Sequence, residues 1–372
     1  MTTFIDINTL RFVPPCNLNR DDTGAPKNAL IGGSRRLRIS SQATKKAIRD
    51  YCIDEYGAND YGTRTVCMYD VIANEIKKIN QNITDAQAID LADEALDAAG
   101  IGIKNRDKTE RKVASAFFIG NSTVQELAHE LVKPINDSSY GNDMKKQASN
   151  RKKTLRNIIL SDAHRANDIA LFGRMLADDP ALNIDGAVQF AHQFGVSRMQ
   201  IGYDYFTASD DSESREDTGA AHVGTTEFAS DVMYSHANIN VDEVIRNQNG
   251  DVAHAHEAIR QFLDGVVNAM PSGKQHSFDA HTPISVLVVS VHNTGMPRNY
   301  AGAFEKPIDS DSGVIDKATE RLFEYINHVD SMVGTDGWIT FVAGIELPDN
   351  ASDDDRRVTN INGVINGVMN TI

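Results

Sequence analysis

The sequence predicts an α+β protein, and three observations support that fold class. The run ISVLVVSV at residues 284–291 is rich in β-branched side chains and is typical of a buried strand. Residues 252–270 carry apolar side chains every three or four positions, which is the spacing of an amphipathic helix. Helical patterns also fill most of an insertion at residues 61–159. With that insertion set aside, the elements follow the order βαββαβ, a ferredoxin-like layout that RNA-recognition domains also use.

The N-terminal elements lead from a strand through a hairpin into a helix. Apolar residues within 4–10 predict the first strand. Residues 29–39 contain two strand-like runs around the sequence GGS, whose glycines can adopt the positive φ that a tight turn requires. Ser40 and Ser41 then supply the N-cap of a helix.

The remaining elements follow from local patterns of the same kind. A capping box formed by Thr84 and Gln87 predicts a helix over residues 84–99. The other predicted helices cover residues 122–132, 145–156, 252–270 and 314–333. The other predicted strands cover residues 168–172, 226–239, 284–291 and 338–345.

A protruding hairpin is predicted within residues 186–226, a polar stretch punctuated by glycines. Met199, Ile201, Tyr203 and Tyr205 alternate with other residues and indicate one arm of that hairpin. The acidic segment 210–217 would form its exposed tip. Disorder is a poorer interpretation, because disordered segments rarely carry so many aromatic side chains.

Composition limits the class of protein. The chain has 372 residues, 41% hydrophobic and 24% charged, which suits one large domain or two ordinary ones. A membrane-spanning helix needs a run of about 18 apolar residues, and the sequence contains no such run. The N-terminal sequence MTTFIDINTL lacks the pattern of a secretory signal. Three scattered cysteines predict neither a disulfide framework nor a zinc site, so a cytoplasmic protein without a metal is expected.

One segment departs from the acidic balance of the chain. The formal net charge is −15, yet residues 27–49 contain seven cationic residues and no acidic residue. These residues are Lys27, Arg35, Arg36, Arg38, Lys45, Lys46 and Arg49. A segment kept free of carboxylates predicts contact with an anion, and its length favours a polyanion such as nucleic acid.

The helix in this segment has two distinct faces. One face carries only polar side chains: Gln42, Lys45, Lys46 and Arg49. The opposite face is apolar and is expected to pack on the body of the protein. We call the polar face of this helix and the cationic residues of the preceding hairpin the basic wall (within residues 27–49). Its alternative interpretation is a solvated basic surface with helix caps.

The three hairpin arginines cannot all face the same side. Side chains alternate across a strand, so Arg35 should point away from Arg36 and Arg38. We therefore expect one or two of these arginines to pair with carboxylates. Asp21 and Asp22 are the nearest candidates in sequence.

Several blocks of sequence resemble one protein family. The first is CNLNRDDTGAPKNALIGGSRRLRISSQATKKAIR, and DIALFGRM, DYFTASDD, AHVGTTEFASDVMYSHANIN, GKQHSFDAHTP and AFEKP follow in the family's order. Together they resemble the CasC-type backbone subunit of the type I-E CRISPR Cascade complex, in the RAMP superfamily. The resemblance covers most of residues 4–307 and is weak in the helical insertion and in the C-terminal tail.

The resemblance implies a modified RNA-recognition fold with three parts. An RRM-like palm would comprise residues 1–60 and 160–372, with a thumb hairpin at about 190–226 and a helical fingers insertion at 61–159. Copies would stack head to tail along one CRISPR RNA as a helical filament. The thumb would kink the RNA periodically and leave its bases free to pair with target DNA in antiviral defence. The implied partners are CRISPR RNA, target DNA through the guide, other copies of the chain and other Cascade subunits, with no membrane.

The resemblance and the basic wall together predict the RNA-binding residues. They are Asn19, Arg20, Lys27, Arg38, Ser40, Gln42, Lys45, Lys46, Arg49, Met175 and Phe206. The cations and the neutral donors suit phosphate and sugar contacts. Met175 and Phe206 are assigned as wedges against the bases on the motif match alone, and their alternative is a place in the core. For Asn19 the alternative is a local Asx turn.

A second basic stretch lies at residues 145–156 and contains no acidic residue. It has two interpretations, contact with incoming duplex DNA or a solvated helix face. The candidate DNA-contacting residues are Lys145, Lys146, Lys152 and Lys153.

Two rival functions remain open at the level of the sequence. Asp21 and Asp22 form a carboxylate pair that could hold Mg²⁺ for a metal-dependent ribonuclease. The family pattern carries the same pair without nuclease activity, so we expect a noncatalytic scaffold with no catalytic residue and no cofactor. The third interpretation is a structural oligomer whose basic wall binds an acidic partner.

Overall fold

The computed structural model describes residues 2–101, 103–104, 111–133, 144–161, 166–176, 179–208, 222–309, 312–352 and 356–372. Its strands are β1 (Phe4–Cys16), β2 (Asn28–Ile31), β3 (Ser34–Ile39), β4 (Gly62–Thr65), β5 (Ile103–Lys104), β6 (Lys112–Val113), β7 (Phe117–Gly120), β8 (Val188–Phe190), β9 (Gln193–Gly195), β10 (Gly202–Ala208), β11 (His222–Asn240), β12 (Val286–His292), β13 (Trp338–Gly344) and β14 (Arg356–Val358). Its helices are α1 (Ser41–Tyr56), α2 (Met68–Ile79), α3 (Asp85–Ala98), α4 (Asn121–Val132), α5 (Met144–Leu160), α6 (Asn167–Phe172), α7 (Val241–Asn247), α8 (Val252–Asn268), α9 (Gln275–Phe278), α10 (Val314–Val333) and α11 (Ile361–Met369). The predicted α+β class is confirmed.

The chain divides into two compact units. The first comprises Met1–Tyr51, Gln189–Asn240 and Phe262–Ile372, and the second comprises Cys52–Val188 and Val241–Gln261. The first unit carries most of the large sheet, and the second carries helices α2 to α7. The predicted palm, fingers and thumb boundaries stay a prediction. Within the described ranges no helix is both long and apolar enough to cross a membrane.

The sheet of the first unit is built around β1. Its strand order is β14-β13-β12-β1-β11-β9-β3-β2, and β10 pairs with β11 beside this path. Strand β1 pairs antiparallel with β11 on one side and with β12 on the other. The side chains of Ile5, Ile7 and Leu10 are almost completely buried. A central strand with both neighbours in place satisfies its backbone groups, which explains why this apolar segment lies in the middle of the sheet.

Helix α10 covers one face of this sheet. Leu322, Phe323 and Ile326 lie in the same buried cluster as Leu10 and Val288. Full burial of side chains of this size contributes about 1.5–3 kcal/mol each. The helix predicted over residues 314–333 is confirmed, with the same bounds.

A polar cluster is buried in the centre of the same sheet. Asp6 accepts hydrogen bonds from Asn238 Nδ2 at 2.9 Å and from the Arg298 N–H at 2.7 Å, and it lies 3.2 Å from His292 Nε2. Burial alone would raise the pKa of Asp6, but hydrogen bonds from His236, His292 and the Arg298 N–H outweigh it and lower that pKa. The carboxylate is therefore held ionised within the core.

The β2–β3 hairpin has the turn that the sequence predicts. Gly32 and Gly33 have φ values of 54° and 73°, in the region that favours glycine. A Cβ on Gly32 would lie 1.9 Å from the carbonyl oxygen of Glu305, so this position also needs the small residue for space. The turn is thus fixed both by its own backbone and by its contact with the body of the unit.

Arg36 corrects the expectation of a carboxylate partner for the hairpin arginines. Its side chain is 0% exposed and donates to the carbonyl oxygens of Gly195, Phe304 and Glu305 at 3.0, 3.1 and 3.3 Å. Asp21, one of the two expected partners, instead binds Thr23 and Ala25. Arg36 is therefore a buried link between the hairpin and two other segments of the unit.

The second unit is mainly helical. Helices α2 to α5 pack around one cluster of buried apolar side chains, to which α5 contributes Leu155 and Ile159. The predicted capping box is present: the Thr84 side chain accepts from the Gln87 N–H, and the Gln87 side chain accepts from the Thr84 N–H. The predicted helices over 122–132 and 145–156 are also confirmed, as α4 and α5.

The predicted strand at residues 168–172 is wrong, since this segment is the helix α6. A buried apolar run this short does not distinguish a strand from a helix by its pattern. Tertiary contacts decide, because Asp168 Oδ1 accepts from the Gly62 N–H at 2.9 Å and the helix ends at Gly173, whose φ is 79°. The place beside β11 is occupied by β9 instead.

The protruding hairpin begins later than the alternation predicts. Its first arm is β10, which starts at Gly202, whereas Met199 packs on a core cluster and donates its N–H to the Arg35 carbonyl oxygen. The second arm is the start of β11, antiparallel to β10. The predicted acidic tip at 210–217 lies outside the described residues.

Candidate nucleic-acid interface

The loop before the hairpin is held in one shape by its own hydrogen bonds. The Asn17 amide is buried and donates to the carbonyl oxygens of Gly24 and Glu227, both at 2.9 Å. The Asp21 carboxylate accepts from the N–H and hydroxyl of Thr23 and from the Ala25 N–H. Arg20 lies exposed on this loop, which presents its side chain to solvent.

Asn19 connects this loop to the start of α1. Its Oδ1 accepts from the Ser40 N–H at 2.9 Å, and its carbonyl oxygen accepts from the Lys27 N–H at 2.8 Å. The Arg38 N–H in turn donates to the Lys27 carbonyl oxygen at 2.9 Å. The side-chain oxygen of Asn19 thus accepts from a residue 21 positions away and makes no local Asx turn. These bonds bring together four predicted RNA-binding residues, namely Asn19, Lys27, Arg38 and Ser40.

The N-terminus of α1 is capped as predicted. The Ser40 hydroxyl accepts from the Ala43 N–H at 3.3 Å, which is the N-cap to N3 bond. Ser40 itself is buried, whereas Gln42, two residues later in the first turn of α1, is exposed. Ser40 therefore fixes the direction in which α1 leaves the hairpin, and Gln42 lies on the outer surface.

The two faces of α1 are those predicted. Ile48 is buried and Ala43 packs on a core cluster. On the outer face Lys46 is exposed and forms an i,i+4 ion pair with Asp50, an interaction worth about 0.3–0.5 kcal/mol at most. Partial burial lowers the pKa of Lys45, which lies half-buried on the same helix. The helix thus offers both a solvated cation and a partly desolvated one.

His192 belongs to this surface and was missed in the sequence. Its Nδ1 accepts a hydrogen bond from the Ser41 N–H at 2.9 Å. Partial burial, and then the charges of Arg38 and Lys27, lower the pKa of His192. The register of β3 with β9 pairs Arg38 with Phe194, two residues after His192, and the Arg38 N–H bonds to the Lys27 carbonyl oxygen. The first unit therefore concentrates positive charge at the start of α1. The sequence around His192 contains no motif or spacing that would have identified it.

Phe206 lies on the protruding hairpin, in the same unit. It faces Gly224 across the β10–β11 ladder, and a Cβ on Gly224 would lie 2.5 Å from Phe206 Cζ. The ring therefore lies across the glycine, yet 42% of the residue stays exposed. Tyr203 and Tyr205 on the opposite face of β10 are each 66% exposed. The hairpin carries aromatic surface on both faces, and Phe206 is not a core residue.

Met175 lies in the second unit and is 88% exposed. Its neighbours are anchored on both sides, because Arg174 donates to the carbonyl oxygens of Leu182 and Phe118 and Leu176 is buried. A short segment fixed at both ends therefore presents this methionine to solvent. The alternative that placed Met175 in the core is wrong.

The second basic stretch divides its charges between structure and surface. Arg151 pairs with Glu94, and Arg156 pairs with Asp179 at 2.7 Å, so these two cations hold α5 to its neighbours. Lys152 and Lys153 are exposed. The side chains of Lys145 and Lys146 lie outside the described residues. Lys152 and Lys153 thus remain the candidates for contact with DNA.

The Asp21 carboxylate of the acidic pair is engaged by its own loop. The hydrogen bond from the Thr23 hydroxyl, with bonds from backbone N–H groups, lowers the pKa of Asp21 and occupies its Oδ1. An open pocket of about 560 Å³ beside the pair is lined by residues 18–24 and Gly273. Among the described residues no group of three or more His, Cys, Asp or Glu side chains could hold a metal ion.

The fold and this surface can now be placed among known proteins. The model of the CT1975-like protein family matches residues 5–368, so the chain belongs to this family. No curated protein matches the chain at a significant level.

Two solved structures match almost the whole length of this sequence. One, described as "CRISPR RNA-guided surveillance complex, pre-nicking", is 27% identical and has a TM-score of 0.82, with 99% of each chain covered. A second, described as "CRISPR RNA-guided surveillance complex", shares the fold at 24% identity and a TM-score of 0.75, with 99% of this chain and 100% of the other covered. The resemblance to a Cascade subunit that the sequence predicts is confirmed.

Proposed function

We propose that this chain is the CRISPR-RNA-binding backbone subunit of a type I-E Cascade surveillance complex. The observation that carries the proposal is the likeness over 99% of both chains to a subunit of a CRISPR RNA-guided surveillance complex. The basic wall supports it independently, because it gathers cations and neutral donors on one surface of an acidic protein. A CRISPR RNA and other subunits of the complex are the partners that follow.

In this proposal the basic wall holds the RNA backbone. Lys27, Arg38 and Lys45 suit phosphate oxygens, and Gln42 and the Asn19 amide suit sugar or phosphate oxygens as neutral donors. The wall reads no base edges, so the bases stay free. This division of roles is what guide-directed recognition requires, because base pairing with target DNA then supplies all sequence specificity.

Phe206 on the hairpin of the first unit and Met175 in the second unit would each deform bound RNA. Exposed aromatic and apolar side chains on anchored segments can stack on bases or separate them, at about 1–3 kcal/mol per stacked base. Phe206 and Met175 both meet this requirement, since each is exposed on a backbone fixed by hydrogen bonds. Periodic kinks would follow if one copy of the chain engaged each segment of the RNA.

Two features of the sheet support the RRM-like core. The neighbours β12, β1, β11 and β9 are all antiparallel, and their order corresponds to 4-1-3-2 of a βαββαβ fold. In that assignment β9 replaces the wrongly predicted strand at 168–172. The head-to-tail filament, the pairing of the guide with target DNA and the cytoplasmic location are parts of the same proposal and rest on the resemblance.

We propose that the subunit is noncatalytic. The Asp21 carboxylate is engaged in its own loop, which weighs against the ribonuclease alternative. A direct comparison of the two functions uses the assembled complex, complementary RNA and Mg²⁺ or Mn²⁺. Cuts at regular intervals that disappear in Asp22→Ala would establish the nuclease and overturn the scaffold proposal.

The first experiment is coexpression of the chain with its neighbouring genes and a CRISPR array, followed by analysis of the RNA in the purified particle. The proposal expects one discrete, uncut guide with many copies of this chain. The fraction of RNA retained is then measured at increasing salt. With about five phosphate contacts per subunit, the slope of log K against log salt should be near −3.5. A particle free of RNA, or a slope near zero, would overturn the proposal.

A further inference from the structure

His192 occupies a defined place at the edge of the basic wall. Strand β9 pairs antiparallel with β3 in the register Arg38 with Phe194 and Ile39 with Gln193. His192, one residue before β9, is thereby brought beside the first residue of α1. The Ser41 N–H donates to His192 Nδ1 at 2.9 Å across 151 residues of sequence. The imidazole thus serves as a second cap for this helix, with Ser40.

This bond determines which ring nitrogen carries the proton. Nδ1 accepts, so in the neutral imidazole the hydrogen is on Nε2. His192 is exposed, and its Nε2 has no hydrogen-bond partner within the described ranges. Protonation at Nδ1 would place a hydrogen against the Ser41 N–H, and the nearby Arg38 and Lys27 oppose a further positive charge. The ring is therefore a neutral donor with a fixed orientation.

We propose that His192 is a further RNA-binding residue, whose Nε2–H donates to a phosphate oxygen held between Lys27 and Arg38. The inference rests on the proposed function and adds a residue to its site. Two cations near one exposed donor form a place where an anionic oxygen is favoured. A neutral donor adds a directional bond there without adding charge.

Two substitutions separate the donor from the helix cap. In His192→Asn the amide Oδ1 can take the position of Nδ1 and accept from Ser41, but no donor reaches the position of Nε2. In His192→Gln the amide can reach the position of Nε2, but nothing replaces Nδ1. The Asn variant therefore keeps the helix cap and loses the donor, whereas the Gln variant keeps the donor and loses the cap. The matched control is His328→Asn, which makes the same substitution at an exposed histidine on α10.

The assay is the binding of the full-length chain to a fluorescein-labelled single-stranded RNA oligonucleotide at several salt concentrations. His192→Asn should raise Kd by about tenfold or more, as expected for the loss of one hydrogen bond to a charged group. The slope of log K against log salt should not change, because no counterion is involved. Lys27→Gln should instead make that negative slope shallower by about 0.7, because one phosphate contact is lost. His192→Gln should keep most of the affinity and lower the melting temperature.

The outcomes that contradict the inference are distinct from failure of the proposed function. If wild-type chain binds RNA and His192→Asn binds as tightly as His328→Asn, His192 does not contact RNA. Equal losses of affinity in the Asn and Gln variants, in step with their melting temperatures, would assign the residue a structural role only. A wild-type chain that binds no RNA would overturn the proposed function itself.

Discussion

Arg36 provides the most direct test of how the basic wall is supported. Its guanidinium is fully buried and donates to three carbonyl oxygens, those of Gly195, Phe304 and Glu305. Arg36→Met keeps much of the side-chain volume but removes all three donors. The three carbonyl groups then stay in the interior without these partners. The perturbation therefore removes hydrogen bonds and charge while leaving the apolar packing nearly unchanged.

The size of the effect follows from those three bonds. Each buried acceptor left unsatisfied costs about 1–3 kcal/mol. Part of this is offset, because the charge of Arg36 no longer has to be buried and the methionine gains apolar contacts. We expect a net loss of about 3–5 kcal/mol in the free energy of unfolding. For a unit of this size that corresponds to a melting temperature lower by roughly 10 °C.

The measurement is thermal unfolding of the full chain, followed by circular dichroism. Arg35→Ala is the control, since Arg35 is exposed on the same hairpin and its removal should change stability by no more than about 0.5 kcal/mol. A loss below about 1 kcal/mol in Arg36→Met would refute the reasoning. In that case the three carbonyl groups would not depend on the guanidinium, and the hairpin would be held by its strand pairing alone.

Four further predictions address the site and the core. Lys45→Ala with Arg49→Ala should weaken RNA retention equally for all guide sequences and reduce the salt slope by about 1.4, and loss for only some guides would argue against backbone contacts. Met175→Ala should leave the melting temperature unchanged but reduce the fluorescence of 2-aminopurine placed at a kink of the bound guide, and unchanged fluorescence would remove its wedge role. The pKa of Asp6 is lower in the folded protein than the unfolded value of about 3.9, so the ionised carboxylate stabilises the fold above that pH and wild-type stability should fall as the pH drops below it. Asp6→Asn should lack this acid-dependent loss of stability in thermal unfolding, and equal pH profiles of the two proteins would contradict the prediction. Asp22→Ala should leave target RNA as uncut as the wild type does, measured on a denaturing gel with Mn²⁺.

Local patterns predicted the elements whose signals lie within a few residues. The first strand, the glycine turn at Gly32, the cap at Ser40, the capping box at Thr84 and the helix over 314–333 are all present. Each depends on backbone geometry or on apolar spacing that a single turn or strand already contains. The failure at residues 168–172 has the same origin, because a run of five residues is too short to reveal a period.

The sequence by itself determined the composition of the site: an acid-free run of cations, a cap, and a helix with one polar face. Only the tertiary structure decided which of these groups reach the surface. Arg36 and Arg38 share one face of a strand, yet Arg36 is buried because three carbonyl groups from distant segments surround it. His192 joined the site only through the pairing of β9 with β3. Such contacts depend on strand register and on segments 150 or more residues apart, which no local pattern encodes.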